Sequence, residues 1–157
     1  MRIRKLLPIL LIAVLAATFV VPAVAQAGTI YVNTGVAGAR LGMKDTTAAK
    51  KLGPVKKKER DPDYPGGVYY TFYFGKKVHG LYAIQMTSHG GKVMAFQVYS
   101  GAYKTTKKIH VGSTVSALKK AYKFTGTRSV YVLKGAHAKT YFNVSHGKVS
   151  SIWIWST

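Results

Sequence analysis

The chain has 157 residues, of which 24 are Lys or Arg and 4 are Asp or Glu, giving a formal charge of +20, and it has no cysteine. Its length fits one or two small domains, and 48% apolar residues with 12% aromatics supply a core and argue against disorder. The missing cysteines exclude a disulfide scaffold, a thiolate zinc site, a thiol nucleophile and an acylated cysteine anchor.

Residues 1–27 begin with Arg2, Arg4 and Lys5, continue as an apolar run from Leu6 to Val21, and end in Pro22 and Ala25-Gln26-Ala27. That is the pattern of a cleaved secretory signal peptide, with small residues placed for the peptidase. The early bases read Arg-Ile-Arg, so no twin-arginine motif is present. Cleavage leaves residues 28–157, with 21 bases against 4 acids, a net +17. No later segment is apolar enough to span a membrane, so no transmembrane segment is expected after cleavage. An exported chain without disulfides depends on packing alone, which suits a secreted, periplasmic or cell-envelope protein of bacteria.

Residues 42–53 read as a glycine turn followed by a short helix, with Ala48 and Leu52 on its apolar face and Asp45 near its positive end. Residues 55–67 hold Lys56, Lys57, Lys58 and Arg60, three of the four acids, two prolines and two glycines, and are expected to form a loop. Three β-rich runs follow at 68–74, 81–87 and 92–99. A second glycine turn and helix come at 112–123, where Ser113 or Thr114 can cap the first turn and Val115, Leu118 and Tyr122 share a face. Three further runs, at 129–133, 140–145 and 148–155, complete the chain.

These elements fall into two copies. Residues 42–53 align with 112–123 at an offset of 70, and Gly91-Lys92-Val93 aligns with Gly147-Lys148-Val149 at an offset of 56, so about 14 extra residues fall within 55–67 of the first copy. The turns Ser88-His89-Gly90-Gly91 and Ser145-His146-Gly147 join the last two strands of each copy. The expected fold is therefore α+β: two tandem repeats of a short helix plus an antiparallel three-stranded meander, with both helices on one face of the sheet. The first repeat spans 28–101, with the inserted loop 55–67, and the second spans 102–157.

Leu41-Gly42-Met43 with Leu52-Gly53, and Val111-Gly112-Ser113-Thr114 with Leu118 and Tyr122, give a layout that resembles the β-lactamase-inhibitor-protein-like and BamE-like domains of exported bacterial proteins. The resemblance covers nearly all of residues 28–157. BamE-like members typically carry a lipidated cysteine, which this chain lacks, so the outer-membrane assembly role is not supported. The inhibitor members imply an aromatic sheet face that grips a partner protein.

Strand alternation assigns Met94, Phe96, Val98, Ile152 and Ile154 to the core, together with Val68, Tyr70, Phe72, Phe74, Phe142 and Val144. The opposite face then carries Tyr69, Tyr73, Tyr99, Tyr141, Trp153 and Trp155 among Thr71, Gln97, Asn143 and Ser151. Tyr and Trp join apolar area to a polar tip at low entropy cost, so these six are the candidate anchors for a protein or glycan. The same rings could instead be cross-strand pairs that steady the sheet, or the face could be buried in a homodimer.

The five histidines, His79, His89, His110, His137 and His146, show no i,i+2 or i,i+4 pairing, and His89 and His146 are explained by the repeated turn, so no metal site is expected. Glu59, Asp61 and Asp63 lie among Lys56 to Lys58 and Arg60, which favours internal ion pairing over a calcium site or a carboxylate pair. No G-x-S-x-G elbow and no phosphate-binding glycine loop are present. The chain is read as non-enzymatic, with no catalytic residues and no cofactor.

The remaining signal is the lysine field. From Tyr64 onward there are 13 Lys or Arg and no carboxylate side chain, and residues 28–157 hold 18 Lys against 3 Arg. That ratio suits diffuse attraction more than bidentate reading of bases, so an anionic polymer or an acidic protein is the expected partner and sequence-specific nucleic acid is not. Lys56, Lys57, Lys58, Lys107, Lys108, Lys119, Lys120 and Lys123 are the candidate contacts. The function expected is a basic binding protein of the cell envelope or exterior, the alternative being an inhibitor or binder of a secreted or periplasmic enzyme through the aromatic face. Self-repulsion of +17 charges should be relieved by salt, so the melting temperature should rise between low and moderate salt; a fall on thermal denaturation would contradict it.

Overall fold

A computed structural model describes residues 27–62 and 67–157. The signal segment before Ala27, and residues 63–66 of the expected loop, lie outside the described residues. The chain runs β1 (Thr29–Tyr31), β2 (Gly35–Val36), β3 (Ala39–Arg40), α1 (Asp45–Leu52), β4 (Val55–Asp61), β5 (Tyr69–Val78), β6 (Leu81–His89) and β7 (Lys92–Val98). It continues as β8 (Lys104–Thr105), α2 (Val115–Tyr122), β9 (Val130–Lys134), β10 (Ala138–Ser145) and β11 (Lys148–Ser156). The fold is mixed α+β, and among the described residues no helix is long and apolar enough to cross a membrane.

Seven strands form one antiparallel sheet in the order β4-β5-β6-β7-β11-β10-β9. The chain meanders outward-in to β7, leaves through β8 and α2, and returns to pair β11 with β7. Val98 faces Ile152 and Phe96 faces Ile154 across that seam, and all four are fully buried. The short strands β3-β2-β1-β8 make a second sheet, with β1 parallel to β8, and its Ile30 and Val36 join the same core.

Each helix is fastened to the sheet by a set of backbone bonds. Before α1, Gly42 N–H donates to Val93 O (2.7 Å), Val93 N–H to Met43 O (2.9 Å) and Asp45 N–H to Gly91 O (2.9 Å). Before α2, Gly112 N–H donates to Val149 O (2.8 Å), Val149 N–H to Ser113 O (2.8 Å) and Val115 N–H to Gly147 O (3.0 Å). Thr114 caps α2 by accepting from Ala117 N–H, whereas α1 starts at Lys44 with no side-chain cap. Asp45 compensates: it accepts from Thr46 N–H (2.6 Å) and from the Ser88 hydroxyl of β6 (3.2 Å), placing a negative charge at the positive end of the helix. Ala48, Leu52 and Leu118 then join the buried cluster that holds Phe96, Ile152 and Phe142.

Three expectations change. Residues 55–61 form a strand, not part of a loop: β4 pairs with β5 from Val55↔Phe74 to Asp61↔Tyr69. All seven of its residues are exposed, so it lacks the buried alternate face that makes a strand recognisable, and as an edge strand it needs hydrogen bonds on one side alone. Met94 is only half-buried, because a bulge between Thr87 and Ser88 pairs Ser88 with Val93 and Thr87 with Ala95, leaving Met94 as the extra residue. Val93, 2% exposed, takes the core position in its place. A matching bulge in the β10–β11 ladder pairs Val144 with Val149 and Asn143 with Ser151. His89 and His146 are not equivalent turn residues. His89 ends β6 and pairs with Lys92, so Gly90 and Gly91 form the turn there, while His146 itself adopts φ 50° beside Gly147 at φ 70°.

Leu118 is the one fully buried side chain of α2. Leu118→Ala should cost about 2–5 kcal/mol, and Thr114→Ala about 1 kcal/mol, both read from urea unfolding midpoints at constant m.

Candidate binding surfaces

All six expected aromatic anchors lie on the sheet face turned away from the helices, each partly exposed. The ladder sets them in rows across the strands. One row runs Lys57, Tyr73, Gln85, Gln97, Trp153, Tyr141, Val132 and crosses all seven strands. Its neighbour runs Glu59, Thr71, Thr87, Ala95, Trp155, Lys139, Lys134. Trp153 thus sits between Gln97 and Tyr141, and Trp155 between Ala95 and Lys139. The rows place Tyr73 at one end and the Trp153, Tyr141 and Trp155 group toward the other.

Several polar tips on this face are already held. The Tyr99 hydroxyl donates to Gln97 Oε1 (2.7 Å), and Asn143 Nδ2 donates to Ser151 Oγ (2.9 Å). Burial pushes the Tyr99 hydroxyl above its ordinary pKa, with the neighbouring Trp153 indole acting in the opposite sense. The Trp153 indole N–H is itself buried and has no partner at hydrogen-bonding geometry. Tyr69 stacks on His89, with ring centroids 4.5 Å apart and planes 10° from parallel.

At the β4 end, Tyr73 donates to the Glu59 carboxylate, which also pairs with Lys57. Lys57 Nζ stands 5.7 Å from the Tyr73 ring centroid, and the Tyr82 ring lies 5.3 Å from it. Tyr82, itself covered by Lys77 at 5.2 Å, was not among the expected contacts. A register shift between Phe74 and Lys77 separates it from the regular alternation that located the others. Burial and then the Glu59 carboxylate push the Tyr73 hydroxyl up to about 12.

The candidate lysines occupy three places. Lys56, Lys57 and Lys58 lie on the edge strand β4, where Lys58 Nζ covers Tyr70 (4.2 Å) and Phe72 (4.9 Å). Charge along an edge strand also blocks strand addition, which gives these three a structural role. Lys119 and Lys123 lie in the last turn of α2 and at its left-handed C-cap, suited to the negative end of the dipole. Lys107, Lys108 and Lys120 come together: with His110, Ser113 and Thr114 they line an open groove of about 610 Å³ beside α2. No carboxylate lines it. Lys107 is partly committed, donating to Ala121 O (2.9 Å) with its Nζ 5.0 Å from the Tyr122 ring centroid.

Among the described residues, no three His, Asp or Glu side chains gather as a metal site would require. Asp45 is engaged at the start of α1, and Glu59 is held by Lys57 and Tyr73.

No family model matches the chain, and no curated protein matches it in sequence. Among solved structures, it is similar to the uncharacterised protein YfeY of Escherichia coli, at 12% identity and a TM-score of 0.49, over 80% of this chain and 95% of that one. It is also similar to an extracellular protein containing an SCP domain from Bacillus anthracis, at 11% identity and a TM-score of 0.48, over 74% of this chain and 44% of that one.

The raised Tyr73 pKa predicts that one phenol stays protonated while ordinary tyrosines ionise near pH 10. Tyr73→Phe should delete the last step of an ultraviolet titration, and Glu59→Gln should move that step down. Because the folded value lies above the unfolded one, the associated stability is full below about pH 10 and is lost as the pH rises through about 12.

Proposed function

We propose that this chain is an exported, non-enzymatic binding protein that engages anionic polymers of the cell envelope or exterior through its lysine-rich surface. Its export rests on the signal pattern of residues 1–27. The groove beside α2 carries the reading. Three lysines border one concavity, no acid lines it, and the chain offers no carboxylate side chain after Asp63 to neutralise them. Lysines at such spacing attract a flexible polyanion by charge and counterion release, with little demand for fixed geometry. An open groove also suits a chain that slides and exchanges more than a small ligand that must be enclosed.

In the same reading, the two helix-plus-meander halves are tandem repeats. The paired offsets of 70 and 56 support this, because the three bonds that fasten α1 and the three that fasten α2 involve residues related by those offsets. The two ladder bulges, after Val93 and after Val149, are related in the same way. Lys120 has a counterpart at Lys50, whereas Lys107 and Lys108 fall opposite Ala37 and Gly38, so the pair of lysines before α2 is what distinguishes the second half.

The test is binding of the protein to long-chain polyphosphate as a function of salt. Affinity should fall steeply between about 50 mM and about 500 mM salt, as expected when several ionic contacts release counterions. Lys108→Ala with Lys120→Ala, which spares the Lys107 bond to Ala121, should flatten the log–log salt slope by about 1 to 2. Affinity indifferent to salt would reject the proposal.

A further inference from the structure

The face opposite the helices has a different composition from the groove. Its first row alternates rings with amides: Tyr73, then Gln85 and Gln97, then Trp153 and Tyr141. Its second row supplies hydroxyls at Thr71 and Thr87, then Trp155, then Lys139 and Lys134. Across seven strands at about 4.8 Å spacing, such a row is about 29 Å long, enough for several sugar rings in line. Ala95 and Ser151 on this face are buried, while Tyr73, Gln85, Gln97, Trp153, Tyr141 and Trp155 are each partly exposed.

We propose that this face binds a linear acidic polysaccharide laid across the strands, with its sugar rings on Trp153, Tyr141 and Trp155 and its carboxylates at Lys139 and Lys134. Half-buried rings, Trp153 beside Tyr141 in one row and Trp155 in the next, offer apolar surface to the C–H faces of pyranoses. Gln85, Gln97 and Asn143 offer donors and acceptors to sugar hydroxyls. Charge complementarity selects an acidic sugar. Among the described residues, the acids on the face, Glu59 and Asp61, are confined to the edge strand β4, and Glu59 is already met by Lys57, whereas the far end carries Lys139 directly opposite Lys134. A folded protein partner fits less well, because the middle of a protein interface is ordinarily a desolvated apolar anchor, and here the middle of the row is two glutamines. The bond from Tyr99 to Gln97 holds one of those amides before any ligand arrives, which lowers the ordering cost of binding. The inference needs nothing from the groove beside α2.

The chain has two tryptophans, Trp153 and Trp155, and both are on this face, so their emission reports its occupancy. Titration with oligogalacturonate should shift the emission saturably, and a neutral cello-oligosaccharide of equal length should bind about tenfold or more weakly. Trp155→Ala should weaken oligogalacturonate binding about tenfold, read by calorimetry on protein whose circular dichroism matches the parent. Lys139→Gln is the second variant, should the first not fold, and should bring the acidic glycan down to the neutral one. Polyphosphate should bind without moving the emission; its failure to bind at all would overturn the groove reading and leave the emission test intact. Emission unmoved by oligogalacturonate, equal binding of the two glycans, or an emission shift produced only by a protein partner would each overturn the proposal.

Discussion

The antiparallel pairing of β7 with β11 sets Val98 beside Ile152 and Phe96 beside Ile154, with all four side chains removed from water. Without this seam, the strands β4 to β7 and β9 to β11 would each end in an unpaired edge with an apolar face half covered. With it, both helices rest on one continuous core, and Ala48, Leu52 and Leu118 reach the same cluster. The seam has an equal effect on the other side of the sheet. Because the side-chain period of a strand is two, the pairing that buries Ile152 and Ile154 forces Trp153 and Trp155 outward, beside Gln97 and Ala95. The small Ala95 side chain leaves room for the indole opposite it.

A chain with this much positive charge has to place its lysines where they do not oppose folding. Several are laid against aromatic rings, as with Lys58 over Tyr70 and Phe72, Lys77 over Tyr82 and Lys107 over Tyr122. Their methylene stems then cover apolar surface, while the ammonium gains the ring's electrostatic attraction. Others mark element ends. Lys50, Lys51, Lys119 and Lys120 fall in the last turns of the two helices, at the negative end of each dipole. The charged edge strand β4 closes one side of the sheet to further pairing. Much of the basic character is thus used in the fold itself, while Lys108 in the groove and Lys134 and Lys139 on the outer face lie neither on an aromatic ring nor in a last helical turn.

The parts of the fold readable from sequence were those with a strong local period. Leu118 at the centre of an apolar helical face, and Phe72, Phe74, Ile152 and Ile154 on alternate strand positions, are found where the pattern puts them. The six outer aromatics follow from the same parity. The pattern is silent where the period fails. Strand β4 has no buried face to betray it, β1, β2, β3 and β8 are two or three residues long, and Met94 sits at a bulge that shifts parity by one. Tyr82 lies beyond the register shift between Phe74 and Lys77, where simple alternation no longer locates a residue.

The sequence by itself determined the charge, the absence of cysteine chemistry, the α+β class and the facing of residues on the regularly alternating strands, Met94 at its bulge excepted. These depend on composition and on contacts between near neighbours in the chain. Tertiary structure alone decided that Tyr73, Trp153 and Tyr141 stand in one row, because strand order and register are set by pairings between residues far apart in the chain. It alone also gathered Lys107, Lys108 and Lys120 around one groove, since the turn after β8 and the face of α2 meet only when the helix docks on β11. Local periodicity states which way a side chain points, and the closing of the sheet on its core determines what it points beside.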